Sequence, residues 1–149
     1  MEITFDFSDF YKKLDIISKK QIPNLVEKGL GKSMLQLLND CVMEIPTVPL
    51  REGWLRGSGS IFVQNKLIAT SRNAPSAKSK YANEHHTEAI NKYSFIGVIG
   101  YNTPYAARVH EGIYFHFREP SSGAKYLESK LLRNRELYVE IIANTIKGE

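Results

Sequence analysis

The segment from Ser94 to Gly112 constrains the fold most, because a strand pattern changes into a helix pattern within it. Its first part, Ser94–Tyr101, is rich in β-branched and aromatic residues and predicts a strand. Thr103 and Pro104 then predict the start of a short helix, with Thr103 as the N-cap and Pro104 in the first turn. Gly112 follows where the C′ residue of that helix is expected. A chain that changes period in this way is typical of an α+β domain.

The N-terminal part predicts a strand followed by helices. Glu2–Phe7 alternates apolar and polar residues, which is typical of a strand. Asp9–Lys20 and Asn24–Met43 carry apolar residues at helical spacing, and they predict two helices or one long helix kinked at Pro23. The single cysteine, Cys41, cannot form an internal disulfide and is expected to be a buried core thiol.

The middle and the C-terminal part add two strands, a loop and a helix. Ser60–Gln64 and Leu67–Thr70 predict strands joined by a turn at Asn65–Lys66. Ser71–Tyr93 is polar, with little apolar periodicity, and predicts a long loop. Ala124–Ile146 has apolar residues at helical spacing and predicts a final long helix.

Together these elements predict a single α+β domain over residues 1–149, with an inserted loop at about residues 71–93. A small antiparallel sheet would be packed by a long kinked N-terminal helical region, a short central helix and a long C-terminal helix. The N-terminal sequence MEITFDFSDF lacks the layout of a signal peptide, and no apolar run approaches about eighteen residues. We therefore expect a cytoplasm-like setting and no contact with a membrane.

Positive charge is concentrated in the middle of the chain. The net charge is +4, and residues 47–93 carry seven basic and three acidic side chains, which is +4 for that stretch alone. Such an excess favours an acidic protein partner or nucleic acid. No DNA-reading motif accompanies it, so a small nucleic-acid-binding domain stays an alternative.

Catalytic motifs are weak in this sequence. There is no G-x-S-x-G elbow, and GLGKS at residues 29–33 lacks the glycine spacing of a phosphate-binding loop. His110, Glu111 and His116 would be the residues of a metal-dependent hydrolase or nuclease, although their spacing is not that of a helical zinc site. Solvated histidines are the simpler interpretation. The sequence therefore predicts a protein that is not an enzyme and has no metal or cofactor, with the metal-dependent hydrolase as the alternative.

Three stretches, in this order, carry a family resemblance. They are PTVPLREGWLRGSGS at Pro46–Ser60, the strand and GYNTPYAARVHEG within Phe95–Gly112, and the approach to the last helix at Pro120–Leu132. Together they resemble the small head–tail connector or tail-completion proteins of tailed phages. The family usually has Asp-Thr-Gly where this chain has Arg51-Glu52-Gly53, and often Pro-Phe-Leu where this chain has Ala124-Lys125-Tyr126-Leu127.

The resemblance implies a structural virion protein of the phage neck, assembled in the host cytoplasm. Such a protein would form a six- or twelve-fold homo-oligomeric ring that joins the portal side of the head to the tail and leaves a channel for DNA. Its other partners would be portal-side or adaptor-side neck proteins and the tail tube or tail terminator protein. Non-specific contact with the exiting DNA is compatible with this role.

Two groups of residues are expected to make the contacts of such a ring. Tyr105 and Val109 are expected to pack inward from the short helix, which would leave the other side of that helix for neighbouring subunits. The candidate subunit-interface residues are Arg51, Trp54, Arg56, Arg108, Glu111 and Tyr114. The candidate residues of a partner-docking loop are Arg72, Lys78, Lys80, Tyr81, His85, His86 and Lys92.

Overall fold

A computed structural model describes residues 1–6, 21–83, 85–87 and 95–148. In these ranges the elements follow the order strand, helix, two strands, strand, three helices. They are β1 (Glu2–Asp6), α1 (Gln21–Met43), a 3-10 turn (Arg56–Ser58), β2 (Gly59–Val63), β3 (Lys66–Thr70), β4 (Ile96–Tyr101), α2 (Ala106–Glu111), α3 (Glu128–Arg133) and α4 (Arg135–Lys147). The α+β class predicted from the sequence is confirmed.

The four strands form one antiparallel sheet in the order β1-β4-β2-β3. The register places Ile3, Ile99, Ile61 and Ala69 opposite one another across the sheet. Because opposite residues in a ladder point to the same face, this row presents one apolar surface. These four residues belong to the main hydrophobic core or pack against it.

Helix α1 covers this surface with an apolar stripe. Its buried residues recur every three or four positions, as expected for a helix with one face against a sheet. They are Val26, Leu30, Met34, Leu37, Leu38 and Cys41. Pro23 lies in the first turn of the described helix, where proline is tolerated. The predicted helix that precedes it, Asp9–Lys20, lies outside the described residues.

Helix α4 is attached to α1 by polar as well as apolar contacts. The buried carboxylate of Asp40 accepts a hydrogen bond of 2.7 Å from the hydroxyl of Tyr138. The hydroxyl of Ser33 donates to the carbonyl of Tyr138 at 3.0 Å. Gly29 lies so close to α4 that an added methyl group would be 3.0 Å from the Cα of Ile142. The two helices therefore pack backbone to backbone at this glycine.

The predicted long C-terminal helix is present as α4, but its predicted extent, Ala124–Ile146, is wrong because the chain breaks at Asn134 into α3 and α4. The side-chain amide of Asn134 donates to Asp40 at 3.2 Å and to Glu44 at 2.9 Å, and both acceptors are on α1. These tertiary hydrogen bonds hold Asn134 at φ −107° and ψ 18°, outside the helical region. The spacing of apolar residues carries no information on these hydrogen bonds, so the sequence does not predict the break.

The turn between β2 and β3 lies one residue earlier than predicted. Its central residues are Gln64 and Asn65, with φ of 52° and 64°, and not Asn65–Lys66. Two consecutive positive φ values are typical of the tight hairpin turn that matches the strand twist. Gln64 also accepts a hydrogen bond of 2.8 Å from the backbone N–H of Ile96 through its side-chain oxygen. This contact with β4 holds Gln64 in the turn.

The short central helix exists, but its predicted ends are wrong in detail. It begins at Ala106, and no side chain caps it, so Thr103 is not an N-cap through its hydroxyl. Gly112 follows α2 with a φ of −78°, which any residue can adopt. The glycine is needed for a different reason, since a methyl group there would lie 2.2 Å from the ring of Phe115.

None of the helices in the described ranges has an apolar stretch long enough to cross a membrane.

The contact at Gly29 predicts opposite results for two glycines of α1. Gly31→Ala should raise the free energy of unfolding by about 1 kcal/mol, because alanine favours the helix and the methyl group would meet only Ile68 at 3.9 Å. Gly29→Ala gains the same propensity but pushes against the backbone of Ile142, so it should be destabilising. Urea unfolding of both variants measures the difference. Equal stabilisation by the two substitutions would contradict the close packing of α1 and α4.

Candidate functional site

Arg56 begins the 3-10 turn that precedes β2, and its guanidinium is buried. Only 6% of the residue is exposed. Its Nη2 donates to the carbonyl of Val48 and to the carboxylate of Glu119, each at 3.0 Å, and its Nη1 donates to the carbonyl of Pro75 at 3.3 Å. Arg56 was predicted to lie at a subunit interface. Instead it is buried, because it connects three segments of its own chain.

The three stretches that carry the family resemblance contact one another. Hydrogen bonds join them in pairs: Asn102 to Ser58 at 2.9 Å, Lys125 to His110 at 2.7 Å, and Thr47 to Ser121 at 2.8 Å. A parallel bridge between Thr47 and Ser122 adds to the last of these. Stretches that are far apart in sequence therefore form one surface.

A cleft of about 940 Å³ opens on that surface. Most of its lining is apolar or aromatic, with a few polar groups. The lining consists of residues 49–55, Tyr81, Tyr105, Val109, residues 116–118 and Ser122. A concave, largely apolar surface with a few charged groups is the usual form of a binding site in a protein.

The first part of the predicted loop packs beside the cleft and contributes Tyr81 to its lining. The backbone N–H of Lys78 donates to the carbonyl of Gly53 at 2.9 Å, and a methyl group on Gly57 would lie 2.1 Å from the carbonyl oxygen of Lys78. The Nζ of Lys78 lies 4.8 Å from the ring centroid of Trp54, and the ring of Tyr81 meets Trp54 edge to face at 6.1 Å. This part of the loop is therefore packed into the domain, and the two predicted groups of residues meet at Trp54.

Four cations lie at or beside the cleft, and we call them the basic rim: Arg51 and Arg118 line it, and Lys78 and Lys80 contact the lining residues Trp54 and Tyr81. Among the described residues, none of the four has a carboxylate within ion-pairing distance. Lys78 and Lys80 instead lie over the rings of Trp54 and Tyr81, the latter at 5.3 Å. Such cation–π contacts stabilise a charge only modestly at an exposed site.

The carboxylates close to the cleft already have partners in the same chain. Glu52 accepts a hydrogen bond of 2.9 Å from the indole N–H of Trp54. Glu119 accepts from Arg56 and from the hydroxyl of Ser122. Arg56 neutralises Glu119, whereas Glu52 keeps its charge, so the four cations of the basic rim leave an excess of positive charge at the cleft.

Part of the sequence prediction for these residues is wrong. Tyr105 was expected to pack inward, but it is 40% exposed, and Ala106 and His110 form the buried face of α2. Val109 is half-buried and lines the cleft. Tyr114 is 88% exposed, which leaves it available for the predicted interface.

The remaining loop residues do not gather at the cleft. The ring of His86 packs against Phe62, with centroids 5.4 Å apart, and its Nδ1 lies 3.4 Å from the carboxylate of Glu2. Arg72 and His85 are exposed and do not line the cleft. Lys92 lies outside the described residues. The candidate docking loop is thus divided: Tyr81 lines the cleft, and Lys78 and Lys80 contact aromatic residues of its lining.

Phe117, Arg118 and His116 were not among the candidate subunit-interface residues, although the aromatic residues around Arg108 and Arg118 had been assigned to packing and an interface. All three line the cleft. A signal was present in the sequence, because the stretch from Tyr114 to Arg118 is unusually rich in aromatic residues beside an arginine. Composition of that kind is enriched at interfaces, but it is equally common in packed cores.

A second group of polar residues lies beside α2 and concerns the metal-dependent alternative. Among the described residues, His110, Glu111 and Glu128 bring potential ligand atoms within 4.8 Å of one another, and His116 is not in this group. The Nζ of Lys125 contacts Glu111 and lies 3.0 Å from Glu128. A cation of the protein therefore already occupies the position between the two carboxylates, and it holds the pKa of the Glu111 carboxyl below its usual value.

His110 was expected to be solvated, but only 3% of it is exposed. Its Nε2 accepts a hydrogen bond of 3.3 Å from the backbone N–H of Glu128, and its Nδ1 lies 2.9 Å from Glu111. With Nε2 as an acceptor, the neutral ring carries its proton on Nδ1 and donates it to Glu111. Both nitrogens are thus used in joining α2 to the start of α3.

The buried nucleophilic groups are also structural. Cys41 is fully buried, and burial raises its pKa to about 12, so the thiol is protonated near neutral pH. Lys130 is fully buried as well, and its Nζ donates to the carbonyls of Pro46 and Tyr126. Burial lowers the pKa of Lys130. Lys130 thereby links the extended segment at residue 46 to α3.

The fold and the site define a small α+β domain that carries an aromatic cleft with a basic rim. No protein-family model, no curated protein and no solved structure matches this chain.

The contacts of Arg56 predict that a lysine cannot replace it. Arg56→Lys should lower the free energy of unfolding by about 3 kcal/mol, because an ammonium cannot serve both carbonyls and Glu119 in this geometry. Arg51→Lys is the matched control, since Arg51 is exposed and the change should stay within about 0.5 kcal/mol. Chemical unfolding measures both. Similar small effects in the two variants would exclude Arg56 as the connection between the three segments.

The raised pKa of Cys41 predicts a pH dependence of stability. Above its ordinary pKa of 9.0 the thiol loses its proton in the unfolded chain, whereas the folded protein keeps it up to about pH 12. The folded state then binds more protons, so stability falls with rising pH by about 1.4 kcal/mol per unit for this group. The stability deficit of Cys41→Ala relative to the wild type should therefore shrink between about pH 9 and about pH 11. A constant deficit, measured by denaturant unfolding across that range, would contradict the assignment.

Proposed function

We propose that this chain is a structural subunit of the neck of a tailed phage. It forms a homo-oligomeric ring between the portal side of the head and the tail, and the ring leaves a channel for DNA. The observation that carries the proposal is the meeting of the three connector-like stretches. Each stretch contributes to the cleft, with residues 49–55 from the first, Tyr105 and Val109 from the second and Ser122 from the third, so residues that resemble the family share one concave surface.

The exposed turn after α2 has the composition of an assembly contact. The turn after α2 exposes Ile113, Tyr114 and Phe115, which are 61%, 88% and 43% exposed. Exposed aromatic residues beside arginines are enriched in the cores of protein interfaces. Arg108 lies over Phe115 at 5.7 Å, which places a charge at the margin of this apolar surface. An apolar centre with a charged margin is the usual anatomy of a protein–protein interface.

The polar groups that a hydrolase would use have structural contacts instead. Glu111 and Glu128 pair with Lys125, the ring of His110 contacts Glu111 and the backbone of Glu128, and the Cys41 thiol is protonated in the core. An assembly protein uses buried polar groups in this way, to hold loops in fixed positions. The proposed partners are copies of the same chain, portal-side or adaptor-side neck proteins, and the tail tube or tail terminator protein.

The proposal is tested in a phage genome that encodes this chain. Deletion of the gene should give lysates that contain DNA-filled heads and separate tails, because the joining ring is absent. Electron microscopy counts the joined and unjoined particles, and supply of the wild-type gene from a plasmid should restore joining. Quantitative mass spectrometry of purified virions should find six or twelve copies per particle, as the family resemblance implies. Infectious virions that lack the protein would refute the proposal.

A further inference from the structure

The basic rim and the apolar lining indicate what kind of partner the cleft would bind. Arg51 and Arg118 line a largely apolar cleft, Lys78 and Lys80 lie over its aromatic residues, and among the described residues none of the four pairs with a carboxylate. These four cations outnumber Glu52, the carboxylate in the lining, and a concave surface with apolar walls and an excess of positive charge favours a partner that carries both apolar groups and negative charge.

The same chain presents such a surface on another side. In α4, Glu136, Val139 and Glu140 are exposed and lie within one turn of one another. A spacing of three and four residues places them on one face of the helix. Neither Glu136 nor Glu140 has an ion-pair partner among the described residues. The opposite face of α4, with Tyr138 and Ile142, packs against α1.

We propose that the exposed acidic face of α4 in one copy of this chain docks into the basic-rimmed cleft of the next copy. This inference rests on the ring of the proposed function and names its contact. The helix face and the cleft are different surfaces of one subunit, so the contact is head-to-tail. A head-to-tail contact that closes by rotation is what a ring requires. A helix that lays one face into an apolar groove is a common form of protein recognition.

Nucleic acid fits the cleft less well. Proteins that bind single strands offer free aromatic faces on which the bases stack. Here the rings of Trp54 and Tyr81 are already covered on one side by Lys78 and Lys80. The apolar lining from Leu50, Leu55, Val109 and Phe117 suits the side chains of a helix better than a phosphate backbone.

Charge reversal tests the contact with two double variants. The cleft variant carries Arg51→Glu and Arg118→Glu, and the helix variant carries Glu136→Lys and Glu140→Lys. All four positions are exposed, so both variants are expected to fold, which circular dichroism checks. The matched control carries Lys32→Glu and Lys66→Glu, which gives the same change in net charge as the cleft variant at exposed positions of α1 and β3.

Sedimentation velocity of each protein up to about millimolar concentration measures self-association. The wild type and the control should associate with the same dissociation constant, and each double variant alone should associate at least about tenfold more weakly. An equimolar mixture of the two double variants should recover wild-type association. Each reversed cleft then meets a reversed helix, and each native cleft meets a native helix, so the mixture restores both contacts.

Several outcomes would overturn the proposed contact. A wild type that stays monomeric at millimolar concentration would refute it, as would association that the double variants leave unchanged. Loss of duplex or single-strand DNA binding in the cleft variant, with self-association intact, would assign the cleft to nucleic acid. Rings that persist in electron micrographs of both variants would exclude this contact while the proposed neck function stands. Virions that form normally without the gene would instead exclude the neck function.

Discussion

The buried guanidinium of Arg56 is the interaction on which the rest of the site depends. A charge that leaves water must find hydrogen-bond partners in the protein, or burial is strongly unfavourable. Arg56 finds them in Val48, Pro75 and Glu119, which belong to three segments that have no regular secondary structure of their own. Because the planar guanidinium of Arg56 joins all three segments, these loops are held in a single arrangement. The cleft is the space that this arrangement leaves between them.

The charge distribution of the cleft depends on which polar groups already have partners in the chain. Acids near the opening are used within the chain, since Glu52 binds Trp54 and Glu119 binds Arg56. The cations of the basic rim have only ring contacts or none among the described residues. An unbalanced charge beside apolar groups is a poor arrangement for an isolated domain but a good one for a surface that meets a partner. The buried histidine, cysteine and lysine add rigidity behind this surface, since each is fully engaged or protonated in the core.

Much of the fold could be predicted from the sequence alone, because the spacing of apolar residues and the positions of glycine and proline are local properties. The strands β2, β3 and β4, the helix α1, the short helix before Gly112 and the buried Cys41 were all expected near their observed positions. The errors have one cause in common. Asn134 leaves the helix for Asp40 and Glu44, and His110 turns inward to meet the start of α3. In each case a contact from a distant part of the chain outweighed the local preference.

The candidate site was predicted only in part. Trp54, Arg51, Lys78 and Tyr81 were named from the sequence and do meet at the cleft, whereas His86 and Arg72 lie elsewhere and Arg56 is buried. By itself the sequence determined the α+β class, the order of the elements and the residue types available for contact, since these depend on neighbours along the chain. Only the tertiary structure decided which cations stay unpaired and which carboxylates are already used. The pairing of Arg56 with Glu119, 63 residues apart in sequence, is the clearest case, because no local pattern reveals it.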